Sequence, residues 1–97
     1  MAKKDSKMDS KIFIGKKRSM DYVLAALVVL NESRSVKLLA RGKTISHAVD
    51  VGEILKNKFL KGASYGEILI TTEELENKDG TNSNVSSIEI EILPPSK

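Results

Sequence analysis

Four segments of the chain have the hydrophobic pattern of β-strands. The clearest lies near the end, where isoleucines at positions 88, 90 and 92 alternate with glutamates at 89 and 91, as in a strand with one buried face. Three shorter apolar runs precede it, and the predicted strands cover residues 11–14, 36–40, 65–72 and 85–93. The turn sequence Lys78-Asp79-Gly80 separates the last two strands, which we therefore expect to form a hairpin.

Two longer apolar segments predict helices between these strands. The first helix runs from about Met20 to Asn31 and is apolar on nearly every face, so we expect it to be largely buried. The second runs to about Phe59 and has one apolar stripe at spacings of three and four residues. That stripe consists of Ile45, Ala48, Val49, Gly52, Leu55 and Phe59. Ser19 can cap the first helix, and Thr44 or Ser46 can cap the second.

The elements follow one another in the order β-α-β-α-β-β, which predicts an α/β fold of the two-layer α+β kind. Strand-helix-strand connections usually make successive strands parallel, whereas the final hairpin is antiparallel. The four strands should therefore form a mixed sheet that carries two helices. A chain of 97 residues suffices for one domain. We place it at residues 11–93, between a flexible basic tail at 1–10 and a C-terminal tail at 94–97.

Two basic segments occupy equivalent places in this order, because each follows a strand and precedes a helix. The first basic loop, Gly15–Ser19, contains Lys16, Lys17 and Arg18, and the second basic loop, Arg41–Thr44, contains Arg41, Gly42 and Lys43. Parallel strands end at the same edge of a sheet, so both loops should share one surface, which we call the basic edge. Each loop also leads into a helix N-terminus, where free N–H groups favour anions. The arrangement predicts a phosphate-binding surface.

The joint placement carries this prediction, since a basic triplet by itself is more often a solvated loop. Gly42 can supply a positive φ in a tight turn, and a turn without a side chain also lets a phosphate approach. The net charge of +3, from 16 Lys and Arg against 13 Asp and Glu, permits a polyanionic partner without requiring one.

Several classes of protein are disfavoured by the composition. There is no cysteine, which excludes disulfides and thiolate chemistry. The longest apolar run, Val23 to Leu30, is too short to cross a bilayer, and we identify no signal peptide. We therefore expect a cytoplasmic protein without a membrane partner.

No residue pattern points to catalysis or to a metal. His47 is the only histidine, and we interpret it as a surface or helix-start side chain, because no nucleophile or partner carboxylate is indicated. Glu73, Glu74 and Glu76 lack ligand spacing and are better explained by a solvated hairpin. We expect no enzymatic activity, no metal and no cofactor.

Six stretches of the sequence resemble the Alba family of archaeal chromatin proteins. They are IGKK at 14–17, MDYVLAAL at 20–27, ARGKTISHAVD at 40–50, KFL at 58–60, and the DG at 79–80 with VSSIEI at 85–90. The resemblance covers residues 11–93. It implies a fold similar to the C-terminal domain of bacterial translation initiation factor three. It also implies a homodimer that coats double-stranded DNA with little sequence preference and binds RNA; whether a paralogue replaces one subunit stays open.

The resemblance also assigns roles to particular residues. The family's DNA-contacting lysines fall on Lys16 and Lys17, and its second basic motif falls on Arg41 and Lys43. Some members are reversibly acetylated on a lysine of the first motif, which implies an acetyltransferase and a deacetylase as partners and Lys16 or Lys17 as the modified residue. In the family, a phenylalanine near the end of the second helix joins adjacent dimers, and the resemblance implies this role for Phe59, although the pattern alone makes Phe59 a core residue.

The hairpin departs from the family pattern. Many members carry arginines there that reach into the minor groove, whereas residues 73–84 here contain four carboxylates and one lysine, a net charge of −3. The rest of the chain therefore carries +6. We expect this acidic hairpin to be flexible, and neutral or mildly repulsive towards duplex DNA.

The sequence thus indicates a chromosome-associated, architectural protein that binds DNA without sequence specificity and also binds RNA, through phosphate contacts. One alternative is a dedicated RNA-binding protein, such as an RNA chaperone or a ribonucleoprotein subunit, which an acidic hairpin would suit. Another is a protein–protein adaptor whose hydrophobic surface matters more than its basic edge.

Overall fold

The computed structural model describes residues 10–32 and 34–95. The strands are β1 (Lys11–Phe13), β2 (Val36–Arg41), β3 (Ser64–Glu76) and β4 (Asn82–Leu93), and the helices are α1 (Ser19–Glu32) and α2 (Ile45–Ile54). A 3₁₀ turn at Gly42–Thr44 precedes α2, and a π-helical turn at Leu55–Phe59 continues it. The predicted basic tail at 1–10 lies outside the described residues except for Ser10.

The four strands form one sheet in the order β1-β2-β4-β3. β1 and β2 are parallel, while β4 is antiparallel to both β2 and β3. β3 therefore runs in the same direction as β1 and β2, although β4 separates it from them. The predicted mixed sheet of four strands with two helices is confirmed, as is the order of the elements.

The core lies between the helices and one face of the sheet. Alternate residues of β2, namely Val36, Leu38 and Ala40, are buried, as are Ile90 and Ile92 of β4. They pack against the buried side chains of the helices, which are Tyr22, Val23, Ala26, Ala48, Val51 and Leu55. The opposite face of the sheet, which we call the open face, carries no helix of the described chain. No helix in the described residues is both long and apolar enough to cross a membrane.

The expectation that the first helix is largely buried is wrong. Only Tyr22, Val23 and Ala26 of α1 are buried, whereas Leu24 and Val28 are exposed on the other side. A helix in a two-layer fold packs one face on the sheet, and the apolar residues on its other faces have no partner within this chain.

The apolar stripe of the second helix is rotated from the predicted one. Ala48, Val51, Gly52 and Leu55 are buried and follow helical spacing. Val49, which the predicted stripe includes, is exposed, and Val51, which the predicted stripe leaves out, is fully buried. The apolar residues of this segment fit two overlapping stripes, and packing against the sheet selects the second one.

β3 and β4 are longer than predicted and extend past the rest of the sheet. The last β2 pair is Arg41 with Ser87, so residues 72–76 of β3 and 82–86 of β4 pair only with each other. At about 3.4 Å per residue, these five pairs project about 17 Å beyond β2. This two-stranded segment, residues 72–86, is called the β-ribbon below. The predicted turn at Lys78–Gly80 joins its strands, with Gly80 at a φ of 90°.

Candidate nucleic-acid interface

The two basic loops lie at one edge of the sheet. Because β1 and β2 are parallel, the first basic loop after β1 and the second basic loop at the end of β2 leave the sheet at the same edge. The backbone N–H of Ile14 donates to the carbonyl of Leu39 (2.8 Å), which continues the pairing up to the first loop. All five basic side chains are exposed: Lys16, Lys17, Arg18, Arg41 and Lys43. β3 ends at this edge too, so the β-ribbon projects from the basic edge.

The first basic loop is held by a buried tyrosine. The Oη atom of Tyr22 accepts hydrogen bonds from the backbone N–H groups of Gly15 (2.8 Å) and Lys17 (3.1 Å). Tyr22 belongs to the first turn of α1, so the helix that follows the loop also fixes its backbone. Binding of a ligand by lysines on a fixed loop costs less conformational entropy than binding by lysines on a mobile loop.

His47 connects the two halves of the basic edge. Its Nδ1 atom lies 3.0 Å from the carbonyl oxygen of Gly15, and its Nε2 atom lies 3.0 Å from the hydroxyl of Ser19. A carbonyl can only accept, so Nδ1 donates, and Nε2 of the neutral ring then accepts from Ser19. The ring also packs edge-on against Tyr22, with centroids 5.6 Å apart. His47 stands near the start of α2, and through it α2 holds the first basic loop.

These contacts correct two predictions from the sequence. His47 is half-buried at the start of α2, so the expectation of a surface side chain is wrong, while its helix-start position is confirmed. Ser19, which the sequence predicts as the cap that precedes α1, is instead the first residue of that helix, and its hydroxyl bonds to His47. Nothing in the spacing of the sequence indicates this arrangement, because it joins residues that the fold alone brings together.

The second basic loop turns sharply at a glycine. Gly42 has a φ of 54°, a conformation that favours glycine, as the sequence predicts. Thr44 stands at the N-cap position of α2, but its hydroxyl bonds to the backbone of Arg41. Its Oγ1 atom accepts from the N–H of Arg41 (3.1 Å) and donates to the carbonyl (2.8 Å). The turn exposes Lys43.

Arg41 forms an ion pair with the β-ribbon. Its Nη2 atom lies 3.2 Å from Oε1 of Glu73, and 60% of the Arg41 side chain remains exposed. The sequence indicates no contact between the basic loops and the acidic hairpin. In the structure the two surfaces meet, because the Glu73 carboxylate pairs with Arg41, one of the cations that the sequence predicts to bind phosphate.

The tip of the β-ribbon is braced by its own polar side chains. The carboxylate of Asp79 accepts from the N–H (3.1 Å) and the hydroxyl (2.7 Å) of Thr81. Asn77 donates to the hydroxyls of Thr81 and Ser83. The bonds from Thr81, first from its side chain and then from its backbone, lower the pKa of Asp79. The Asp79 carboxylate therefore stays ionised to a lower pH than an unpaired aspartate would.

Phe59 lies outside the buried core. It ends the π-helical turn after α2, and 43% of it is exposed. Because Phe59 precedes the start of β3, it stands at the sheet edge opposite to the basic edge.

Comparison with known proteins gives a consistent family. The Alba family profile matches residues 10–72. The chain is 51% identical over 82 residues to the DNA/RNA-binding protein Alba of Thermoplasma volcanium, which covers 84% of this chain and 91% of that protein. It is 46% identical over 88 residues to the DNA/RNA-binding protein Alba of Methanocella arvoryzae, covering 90% of this chain and 92% of that one.

Solved structures agree with these matches. The structure of Alba from Thermoplasma volcanium superposes with a TM-score of 0.79 and 50% sequence identity, over 86% of this chain and 98% of that one. ALBA1 from Trypanosoma brucei superposes with a TM-score of 0.71 at 19% identity, over 90% of this chain and 70% of that one. The second similarity concerns the fold alone.

Proposed function

Because this chain belongs to the Alba family, we propose that it binds double-stranded DNA and RNA through phosphate contacts at the basic edge and catalyses no reaction. The joint exposure of two basic loops at one sheet edge carries this proposal. Binding would be electrostatic, since lysines and arginines that neutralise phosphates release counterions without reading bases. Such a protein acts as an architectural, chromosome-associated component in the cytoplasm.

The braced backbone supports specific roles for the two loops. Lys16, Lys17 and Arg18 stand on a loop that Tyr22 and His47 hold, and Arg41, Gly42 and Lys43 stand on a turn that Thr44 holds. Each loop precedes a helix N-terminus that favours an anion. These six residues are the proposed nucleic-acid contacts.

An apolar patch supports association into a dimer. The register pairs Ile68 and Ile70 with Ile90 and Ile88, which places them on the helix side of the sheet, yet both are exposed at the β3 edge. Val49 of α2 is also exposed. It lies one helical turn before Gly52, and the Tyr65 side chain lies beside that glycine. A second copy of this chain, or a paralogue, would cover this patch. Ile70→Lys should then dissociate the dimer in sedimentation experiments, whereas Ala25→Lys on α1 should not.

Two further roles follow from the family. Phe59, exposed at the far end of the domain, would join neighbouring dimers along DNA. Acetylation of Lys16 or Lys17 by an acetyltransferase, reversed by a deacetylase, would remove one charge from the basic edge and weaken phosphate binding.

A salt titration of duplex binding tests the proposal. Replacing Lys16 and Lys17 together by alanine should weaken binding to all sequences and flatten the slope of log K against log salt by about 0.9 for each phosphate that is no longer neutralised. The matched control replaces Lys58 and Lys61, which are exposed near the opposite sheet edge, and removes the same charge. Equal effects of the two double variants would refute the basic edge.

The same titration separates the alternatives. A protein–protein adaptor would bind its partner through apolar contacts that salt does not weaken, and it would show no steep dependence for duplex DNA. A dedicated RNA-binding protein would instead bind structured RNA in preference to duplex DNA when the two compete at physiological salt. The names of the relatives include both nucleic acids.

A further inference from the structure

An aromatic side chain stands exposed beside the basic edge. Phe13 is the last residue of β1, three residues before Lys16, and 73% of it is exposed. It pairs with Leu39 of β2, so both side chains lie on the open face of the sheet. Core packing does not explain a phenylalanine at this position, because Phe13 is mostly exposed and the core lies on the other face of the sheet.

Phe13 forms one wall of a cavity on the open face. The cavity has a volume of about 380 Å³, in the range of small-molecule sites. Leu39 and Leu69 supply apolar lining, and polar groups from β2, β3 and β4 surround it. Two of these, the hydroxyls of Thr71 and Ser87, hydrogen-bond to each other at 2.7 Å. A flat ligand with polar edges matches this lining.

The charges around the cavity favour an anionic chain on the β1 side. Lys11 is exposed at the start of β1 on the same face as Phe13, and the first basic loop follows the strand. The carboxylates on the other side of the cavity are paired, Glu73 with Arg41 (3.2 Å) and Glu89 with Lys37 (3.9 Å). Phosphates would therefore follow β1, with their bases turned towards the sheet.

We propose that this cavity receives an unpaired base of a single-stranded nucleic acid, stacked on Phe13, while the phosphates of the strand lie along Lys11 and the first basic loop. The proposal rests on the proposed function, since the same loop supplies the phosphate contacts. Stacking requires a free π-face, which bases of an intact duplex do not offer, so the cavity selects single strands. Phe13 thereby adds a second mode of binding to a surface that otherwise contacts phosphates alone.

The test measures binding of a 12-nucleotide single strand, the same strand carrying abasic sites, and a duplex of matched length. Phe13→Leu keeps an apolar side chain and removes the ring, while Phe13→Tyr keeps the ring. Loss of one stacked base typically weakens binding by about 5- to 150-fold. We expect at least a fivefold loss for Phe13→Leu on the intact single strand, recovery in Phe13→Tyr, and no change for either variant on the abasic strand or the duplex.

Each other outcome overturns the proposal in a recognisable way. Equal losses on all three ligands would mean that Phe13 only supports the basic loop. Unchanged single-strand affinity together with an altered sedimentation coefficient would show that a second copy of the chain covers the open face. Failure of the unaltered protein to bind single strands, with duplex binding intact, would refute the stacking site and leave the proposed function standing. Failure to bind any of the three would refute both.

Discussion

The ion pair between Arg41 and Glu73 should weaken DNA binding, because phosphate and carboxylate compete for one guanidinium. We therefore predict that Glu73→Gln tightens duplex binding. An exposed ion pair is worth about 0.2–1 kcal/mol, which corresponds to a factor of about 1.4 to 5 in affinity. The Arg41 side chain is 60% exposed and its partner 38%, so this range applies to the pair.

The salt dependence should change as well. Freeing Arg41 allows it to neutralise up to one more phosphate per chain, which steepens the slope of log K against log salt by about 0.9. Fluorescence anisotropy with a labelled duplex, measured at several salt concentrations, gives both the affinity and the slope. The gain should be largest at low salt and should shrink as the Debye length falls below about 10 Å, above 0.1 M salt.

Glu74→Gln is the matched control, because it removes the same charge one residue further along β3. Adjacent residues of a strand point to opposite faces, so Glu74 does not share the face on which Glu73 meets Arg41. If Glu74→Gln tightens binding as much as Glu73→Gln, the gain comes from net charge and the competition between phosphate and carboxylate is refuted. In the Arg41→Ala background the two glutamine variants should be equivalent, which completes a double-mutant cycle.

Four other changes have defined outcomes. Tyr22→Phe removes the acceptor of two backbone hydrogen bonds and should lower the free energy of unfolding by about 1–2 kcal/mol while weakening duplex binding, as denaturant titration and anisotropy would show. Leu38→Ala, at a fully buried position, should cost about 2–5 kcal/mol, measured by the denaturation midpoint. Phe59→Ala should cost far less than the about 3–5 kcal/mol of a buried phenylalanine but abolish cooperative binding along DNA; a sharp fall in stability would restore the core interpretation. Asn84→Arg, on the exposed β-ribbon, should tighten duplex binding and steepen its salt slope, and an unchanged slope would show that the β-ribbon stays away from DNA.

The shared edge of the two basic loops could be predicted because it depends only on the direction of β1 and β2. Strand-helix-strand connections usually join parallel strands, and each loop is a recognisable run of cations between a strand and a helix. The position of the hairpin at the same edge follows from the same reasoning once β3 is parallel to the first two strands. Such statements need the order of the elements and no knowledge of side-chain contacts.

The Arg41–Glu73 pair could not be predicted, because it depends on an irregularity of β3. The pairing shifts between Tyr65 and Ile68, where two residues stand opposite Glu91 alone, and the N–H of Glu67 donates to the Glu91 carboxylate at 3.0 Å. An extra residue moves every later side chain to the other face of the sheet. Without it, Glu73 would fall on the helix side, away from Arg41. The alternation of polar and apolar residues in β3 is too weak to reveal the shift.

The brace of Tyr22 and His47 escaped prediction for a different reason. Hydrogen bonds between Gly15, Ser19 and His47 join residues about one helix and one strand apart, and polar side chains of this kind are common on any surface. The exposure of α1 could not be predicted, because an apolar helix face has the same sequence pattern whether it packs within the chain or against another molecule.

The side chains of the β-ribbon are under weaker packing constraints than those of the core. Of the described residues 72–86, none is buried; strand pairing and polar bonds within the β-ribbon, together with the ion pair of Glu73 with Arg41, hold them, so most of their side chains can vary without disturbing the core. Selection can therefore adjust the charge of this segment independently of stability, and a single substitution can change affinity for a polyanion while the fold stays constant. For the same reason, the turn at Lys78–Gly80 is where a foreign peptide, a fluorophore or a second binding module could be inserted with the least disturbance to the rest of the molecule.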